Sequence, residues 1–136
     1  MIVLLLSLGG CVPIPKTYFK VSPVSGALVN PEGKPVSGAT IRFSQSLDDL
    51  ACGSPSFTSV TSSSGKFEFP GETGFLYWVA PAPTTYMRTF RLCAVTAESN
   101  LGWNARVYGG PEAPSLVEPI CELSRTELQC QLKITP

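Results

Sequence analysis

A two-residue alternation of apolar and polar side chains, interrupted at short intervals by turn residues, is the feature that most constrains the fold. It is clearest near the end of the chain, where the apolar members are Leu128, Cys130, Leu132 and Ile134 and the polar members are Glu127, Gln129, Gln131 and Lys133. Successive residues of a β-strand point to opposite faces, so this pattern predicts a strand with one buried face. No stretch shows a sustained 3.6-residue period, and thirteen prolines and twelve glycines supply turns. We therefore predict an all-β chain, folded as an antiparallel β-sandwich of about seven strands.

The first predicted strands meet at a well-marked turn. Val24–Val29 is an apolar run, and residues 30–33, Asn-Pro-Glu-Gly, place Pro early in a turn and Gly where a positive φ is needed. Residues 36–44 alternate again, so we predict that the two runs form a hairpin. Later in the chain, residues 116–121 contain Pro119, which lacks the N–H that a central strand donates. We predict an edge strand there.

Three segments of the N-terminal half resemble the carboxypeptidase regulatory-like domain. They are residues 25–29 (SGALV), 33–41 (GKPVSGATI) and 64–69 (SGKFEF), which are similar to that family's G-x-V, G-x-P-V-x-G-A-x-V and T/D-x-x-G-x-F-x-F patterns. The family is similar to transthyretin, so the resemblance implies a seven-stranded sandwich of two sheets. Its glycines occupy turns and close-packed positions, so the resemblance bears on the fold and not on an activity. No motif of the family follows residue 70.

The first eleven residues predict an export signal that ends in a lipidated cysteine. Residues 2–8 are almost wholly apolar. They are too few for a membrane-spanning helix, which needs about 20 residues, but match the apolar region of a signal peptide. Residues 8–11, Leu-Gly-Gly-Cys, resemble the bacterial lipobox, in which an aliphatic residue and two small residues precede the lipidated Cys. The resemblance implies that residues 1–10 are removed and that Cys11 carries the lipid.

One departure from the signal pattern leaves alternatives open. A signal peptide ordinarily begins with Lys or Arg, and here Ile2 follows Met1 directly, as expected if the natural start lies upstream. The competing interpretation makes residues 2–8 a buried first strand and Cys11 an ordinary thiol.

The lipobox interpretation divides the chain into three parts. After the signal of residues 1–10, residues 11–23 contain the lipidated cysteine and three prolines, and we predict an extended tether there. Residues 24–136 form the sandwich domain. The residue after the lipidated cysteine is Val12 and not Asp. By resemblance to Gram-negative lipoproteins, this implies a lipid anchor in the outer membrane, on its periplasmic side.

The other four cysteines predict two disulfides, since an even number is typical of an oxidising compartment. Cys121 and Cys130 flank a predicted turn, so they can bridge neighbouring strands, which leaves Cys52 with Cys93. Four cysteines allow three pairings, so the sequence does not fix this one. A zinc site is disfavoured because the chain has no histidine and no C-x-x-C spacing.

The composition excludes several classes of function. Without histidine, the chain has no Ser-His-Asp, Cys-His or His-metal site. Ten basic residues balance ten acidic ones and are scattered singly, so we expect no nucleic-acid partner. Asp48 and Asp49 are adjacent and would point opposite ways on an extended chain, which makes a poor catalytic pair. We therefore expect no enzyme, no cofactor and no metal.

Aromatic residues in the second half provide the hint of a binding surface. Tyr77 and Trp78 are neighbours in a predicted strand, so one of them is expected to face outward. Tyr86 follows a proline-rich loop, and Trp103 and Tyr108 lie further along. Exposed aromatics can contact sugars or proteins, whereas the competing interpretation places all five in the core.

Two classes of function therefore remain. The first is a non-catalytic binding module of the cell envelope for a protein or glycan, with contacts near Tyr77, Trp78 and Tyr86. The alternative is a structural accessory subunit that joins an envelope or secretion assembly through an exposed sheet edge.

Overall fold

The computed structural model describes residues 14–46, 52, 57–78, 86–109 and 113–136. These residues contain ten strands and no helix, which confirms the all-β prediction. The predicted signal peptide, Cys11 and Asp48 and Asp49 lie outside the described residues. The strands are β1 (Ile14–Val21), β2 (Val24–Val29), β3 (Thr40–Ser46), β4 (Phe57–Val60), β5 (Lys66–Phe69), β6 (Glu72–Trp78), β7 (Tyr86–Val95), β8 (Asn100–Gly109), β9 (Leu116–Leu123) and β10 (Leu128–Thr135).

Two four-stranded sheets form the sandwich, with strand orders β10-β9-β2-β5 and β4-β3-β7-β8. The remaining strands, β1 and β6, pair with each other as a two-stranded ribbon. Neighbouring strands are antiparallel except β2 and β9, which run parallel. The fold is thus a sandwich with more strands than the seven expected and one parallel pair.

Aromatic rings fill the space between the two sheets. Phe43 of β3 is fully buried, with its ring centroid 4.8 Å from that of Phe90 in the same sheet and 5.3 Å from that of Phe69 in the facing sheet. Burying one such side chain contributes about 1.5–3 kcal/mol, so this cluster holds the sheets together.

The predicted turn at residues 30–33 is present, but the predicted hairpin is wrong. Gly33 has a φ of +79°, and the Asn30 side chain accepts a hydrogen bond from the amide of Lys34 at 2.8 Å. After an isolated bridge between Val29 and Pro35, the chain crosses to the other sheet. The reason is that β2 already has β5 on one side and β9 on the other, which leaves no edge for β3.

The edge-strand prediction for Pro119 is also wrong, because β9 lies between β10 and β2. In the parallel register, Val24 pairs with Val117 and Ala27 with Ile120, and the pairing is interrupted between these two positions. Pro119 lies in that interruption, where the ladder does not require its missing N–H.

The tether predicted over residues 11–23 is a strand for most of its length, since β1 pairs with β6 along Ile14–Val21. Pro15 is compatible with this strand because β6 is the one strand that pairs with β1 in the described part of the chain, which makes β1 an edge there. The Arg88 guanidinium donates a hydrogen bond to the carbonyl of Lys20 and joins the ribbon to the sandwich.

Both predicted disulfides are confirmed: Cys52 is bonded to Cys93, and Cys121 to Cys130. Cys121 and Cys130 lie directly opposite each other on β9 and β10, as their flanking of a turn implied.

Candidate functional site

The two ends of the sandwich differ. Residues 22–23 connect β1 to β2 at one end, which we call the β1 end. We call the opposite end the loop end. The parallel strands β2 and β9 both run toward it, and β7 ends there beside the start of β3. The loop end therefore contains residues 30–39, 61–65, 96–99 and 124–127.

Three loops of the loop end surround an open groove of about 750 Å³. We call it the loop groove, and its lining residues are Asn30, Pro31, Glu32, Thr96, Ala97, Glu98, Ser99, Leu123, Ser124 and Arg125. The lining draws on the β2–β3, β7–β8 and β9–β10 connections, so it combines residues from both sheets. It is the kind of concave surface at which loops on a rigid scaffold contact ligands.

Each of the three loops is fixed by a polar side chain near its start. The oxygens of Asn30, Thr96 and Ser124 accept hydrogen bonds from backbone amides two to four residues further on. The donating amides are those of Glu32 and Lys34, Glu98 and Ser99, and Thr126 and Glu127. Such bonds hold a turn in one conformation, so little ordering entropy would be lost when a ligand binds.

Charges of both signs lie on the groove. Glu32, Glu98 and Arg125 are exposed, and none of them is in an ion pair with a residue that the structure describes. Their carboxylate oxygens and guanidinium N–H groups are therefore open to a partner. This arrangement can bind polar groups through hydrogen bonds. The described residues contain no group of three or more potential metal ligands.

The three aromatic residues predicted as contacts lie elsewhere. Tyr77 and Trp78 end β6, opposite Pro15 and Ile14 of β1, and Tyr86 begins β7 at the β1 end. Their side chains are outside what the structure describes, so their role stays a prediction. The structure does not bring Tyr86 to the loop groove, which is at the opposite end of its sheet.

The other aromatics named from the sequence divide between core and surface. Trp103 is half-buried and packs against Phe90, with ring centroids 6.5 Å apart. Tyr108 is 53% exposed and lies opposite Met87, which is 41% exposed, close to Tyr86 along β7. One aromatic of the predicted region is thus exposed, and the other is partly buried against the core.

Sequence reasoning missed the loop groove. Each loop is a short polar cluster between strands, Asn-Pro-Glu-Gly, Thr-Ala-Glu-Ser and Ser-Arg-Thr-Glu, and that signal marks turns. The three turns lie at the same end of the sandwich because the chain crosses to the other sheet between β2 and β3 and because β2 pairs in parallel with β9. Neither is visible in the local pattern.

No helix among the described residues is long and apolar enough to cross a membrane. No protein-family model and no curated protein matches this chain. Among solved structures, it is similar to 3-chlorocatechol 1,2-dioxygenase from Rhodococcus opacus 1CP, with 9% sequence identity and a TM-score of 0.41. The similarity covers 88% of this chain and 59% of the dioxygenase chain, so this chain spans less than two thirds of that structure's length. A likeness of this degree carries no information about the activity of this chain.

Proposed function

We propose that this protein is a non-catalytic binding module of the bacterial envelope. A lipid on Cys11 anchors it in the outer membrane on the periplasmic side, and the loop groove contacts a protein or glycan partner. The supporting observation is the position of the groove, which opens at the end of the sandwich opposite to the one that β1 joins. The groove is therefore at the far end of the sandwich from the point where the chain enters it from β1.

The character of the groove supports binding rather than catalysis. Its loops are fixed by their own hydrogen bonds, and its exposed charges have no described ion-pair partner. A chain without histidine also offers no imidazole to act as a general base beside a serine or cysteine.

Site-specific photo-crosslinking in envelope preparations tests the proposed surface. A benzophenone amino acid placed at Glu98 or at Arg125, in two loops of the groove, should give the same partner adduct. Gln131 is the matched control, since it is exposed on the outer face of β10. An adduct from Gln131 equal to those from the groove, or no adduct from either groove position, would contradict the proposal.

The alternative, a structural accessory subunit, is favoured by β8. This edge strand is ten residues long and contains one charged residue, Arg106, and long edge strands with few charges are templates for pairing with another chain. In the same experiment, the probe at the exposed Tyr108 distinguishes the two functions. An adduct from Tyr108 and none from Glu98 would support the accessory role.

A further inference from the structure

Among the residues that the structure describes, the outer face of the sheet β4-β3-β7-β8 carries three arginines and no acidic residue. The buried neighbours Phe43, Leu92 and Val107 point into the core. Because residues alternate along a strand, Arg42, Arg91 and Arg106 lie on the opposite, outer face. None of the four strands contains Asp or Glu.

The three arginines form a diagonal line across the sheet, which we call the arginine diagonal. Arg42 of β3 lies opposite Cys93, two residues from Arg91 on β7. Arg106 of β8 lies opposite Thr89, two residues from Arg91 in the other direction. Diagonal neighbours of this kind are about 7–8 Å apart, so the line spans roughly 15 Å.

Within the described part of the chain, the partners of the middle guanidinium are neutral side chains. Arg91 Nη1 donates to Asn104 Oδ1 at 2.6 Å, and Nη2 lies 3.5 Å from Cys52 Sγ. Gly102 makes room for this arrangement, since a Cβ there would be 2.4 Å from Arg91 Nη2. The ends of the diagonal, Arg42 and Arg106, form no ion pair with any residue that the structure describes.

The two faces of the sandwich differ in charge although the whole chain is neutral. The outer face of the other sheet carries Glu68, Glu118 and Glu122 together with Lys66 and Lys133, so negative charges are in slight excess there, and Lys133 lies 3.5 Å from Glu118. The positive face is therefore complementary to an anionic partner and does not reflect an excess of basic residues.

We propose that the arginine diagonal binds an anionic glycan, a sugar chain that bears carboxylate or phosphate groups. Guanidinium groups bind both anions through paired N–H donors, and three of them in a line fit an anion repeated along an extended chain. The exposed Tyr108 shares a face of β8 with Arg106, two residues away, and offers an aromatic ring to a sugar.

An acidic peptide fits this surface less well. Peptides that bind sheets add a strand at an edge through backbone hydrogen bonds, whereas Arg42 and Arg91 lie on the interior strands β3 and β7. The proposal concerns a face separate from the loop groove and does not depend on it.

Titration calorimetry of the full chain against polygalacturonate, phosphorylated mannan, neutral dextran and polyglutamate tests the proposal. We expect binding to polygalacturonate or to the phosphorylated mannan that weakens with salt, and none to dextran. The double variant Arg42→Gln/Arg106→Gln, which leaves the contacts of Arg91 intact, should bind about tenfold more weakly or worse.

The matched control is Lys66→Gln/Lys133→Gln, which removes the same charge from exposed positions on the other sheet and should bind within about twofold of the wild type. If the arginine double variant unfolds, Arg106→Gln alone at an exposed position replaces it. An equal loss in the control, tighter binding of polyglutamate, or failure of both charged glycans to bind would overturn the proposal. The variant Asp48→Asn/Asp49→Asn provides a further check. If it binds the charged glycans and the wild type does not, the proposal is also overturned, because the two aspartates would then be the anions that pair with the arginines.

Discussion

Gly26 of β2 pairs directly with Phe67 of β5, and the Phe67 ring lies over the glycine. A Cβ at residue 26 would be 2.2 Å from Phe67 Cζ, whereas carbon atoms in contact are normally about 3.5 Å or more apart. The ring would have to move by about 1.3 Å, and it is 2% exposed within the core. Gly26→Ala therefore forces the packing between the two sheets to change.

The expected cost follows from two opposing effects. Overpacking a well-packed core costs about 1–3 kcal/mol. Replacing glycine in a strand by alanine stabilises the fold by about 0.5–1 kcal/mol, because alanine has less backbone freedom than glycine to lose when the chain folds. We expect Gly26→Ala to lower the free energy of unfolding by about 1–2 kcal/mol, measured as a lower urea midpoint at unchanged m-value.

A double-mutant cycle with Phe67→Leu identifies the contact. Leucine lacks the ring atoms that the new Cβ would meet, so Gly26→Ala should be neutral or stabilising in that background. A destabilisation of the same size in both backgrounds would refute the clash as its cause. A neutral Gly26→Ala in the wild type would refute the packing itself.

Three further predictions concern stability. Replacing Cys52 and Cys93 by Ala should cost about 4 kcal/mol from the loop entropy of their 41-residue separation, and an unchanged urea midpoint would contradict this. Gly33→Ala should cost about 1 kcal/mol in the same assay because of the positive φ, and Gly33→Asn should cost less, so the reverse order would be inconsistent with the turn. Trp103→Ala should lower the free energy of unfolding by about 2 kcal/mol, whereas Tyr108→Ala, at an exposed position, should change it by no more than about 0.5 kcal/mol. Equal effects would contradict the different burial of the two side chains.

Local sequence signals predicted the parts of the fold that depend on local geometry. The alternation around Leu132 predicted β10, and the Asn-Pro-Glu-Gly turn predicted the positive φ of Gly33. The structure confirms the pairing of Cys121 with Cys130, which their positions on either side of a turn favoured without fixing it.

The failures concern which strand edges are free, a property of the whole sheet. The partner of β3, the central position of Pro119 and the pairing of β1 all depend on contacts far apart in the chain. The loop groove was missed for the same reason, because it joins three turns that only the sheet order brings together. Exposed Tyr108 lies in the aromatic region chosen from the sequence, whereas Tyr77, Trp78 and Tyr86 stay predictions.

Metabolic labelling with palmitate tests most directly whether the protein is an anchored envelope module. Palmitate should label the wild type, which should be recovered in outer-membrane fractions, and Cys11→Ser should stay unlabelled as an unprocessed precursor. The control Cys121→Ser/Cys130→Ser lacks a disulfide but keeps Cys11, so it should be labelled like the wild type. Equal labelling of Cys11→Ser, or a wild type without label, would contradict the lipid anchor.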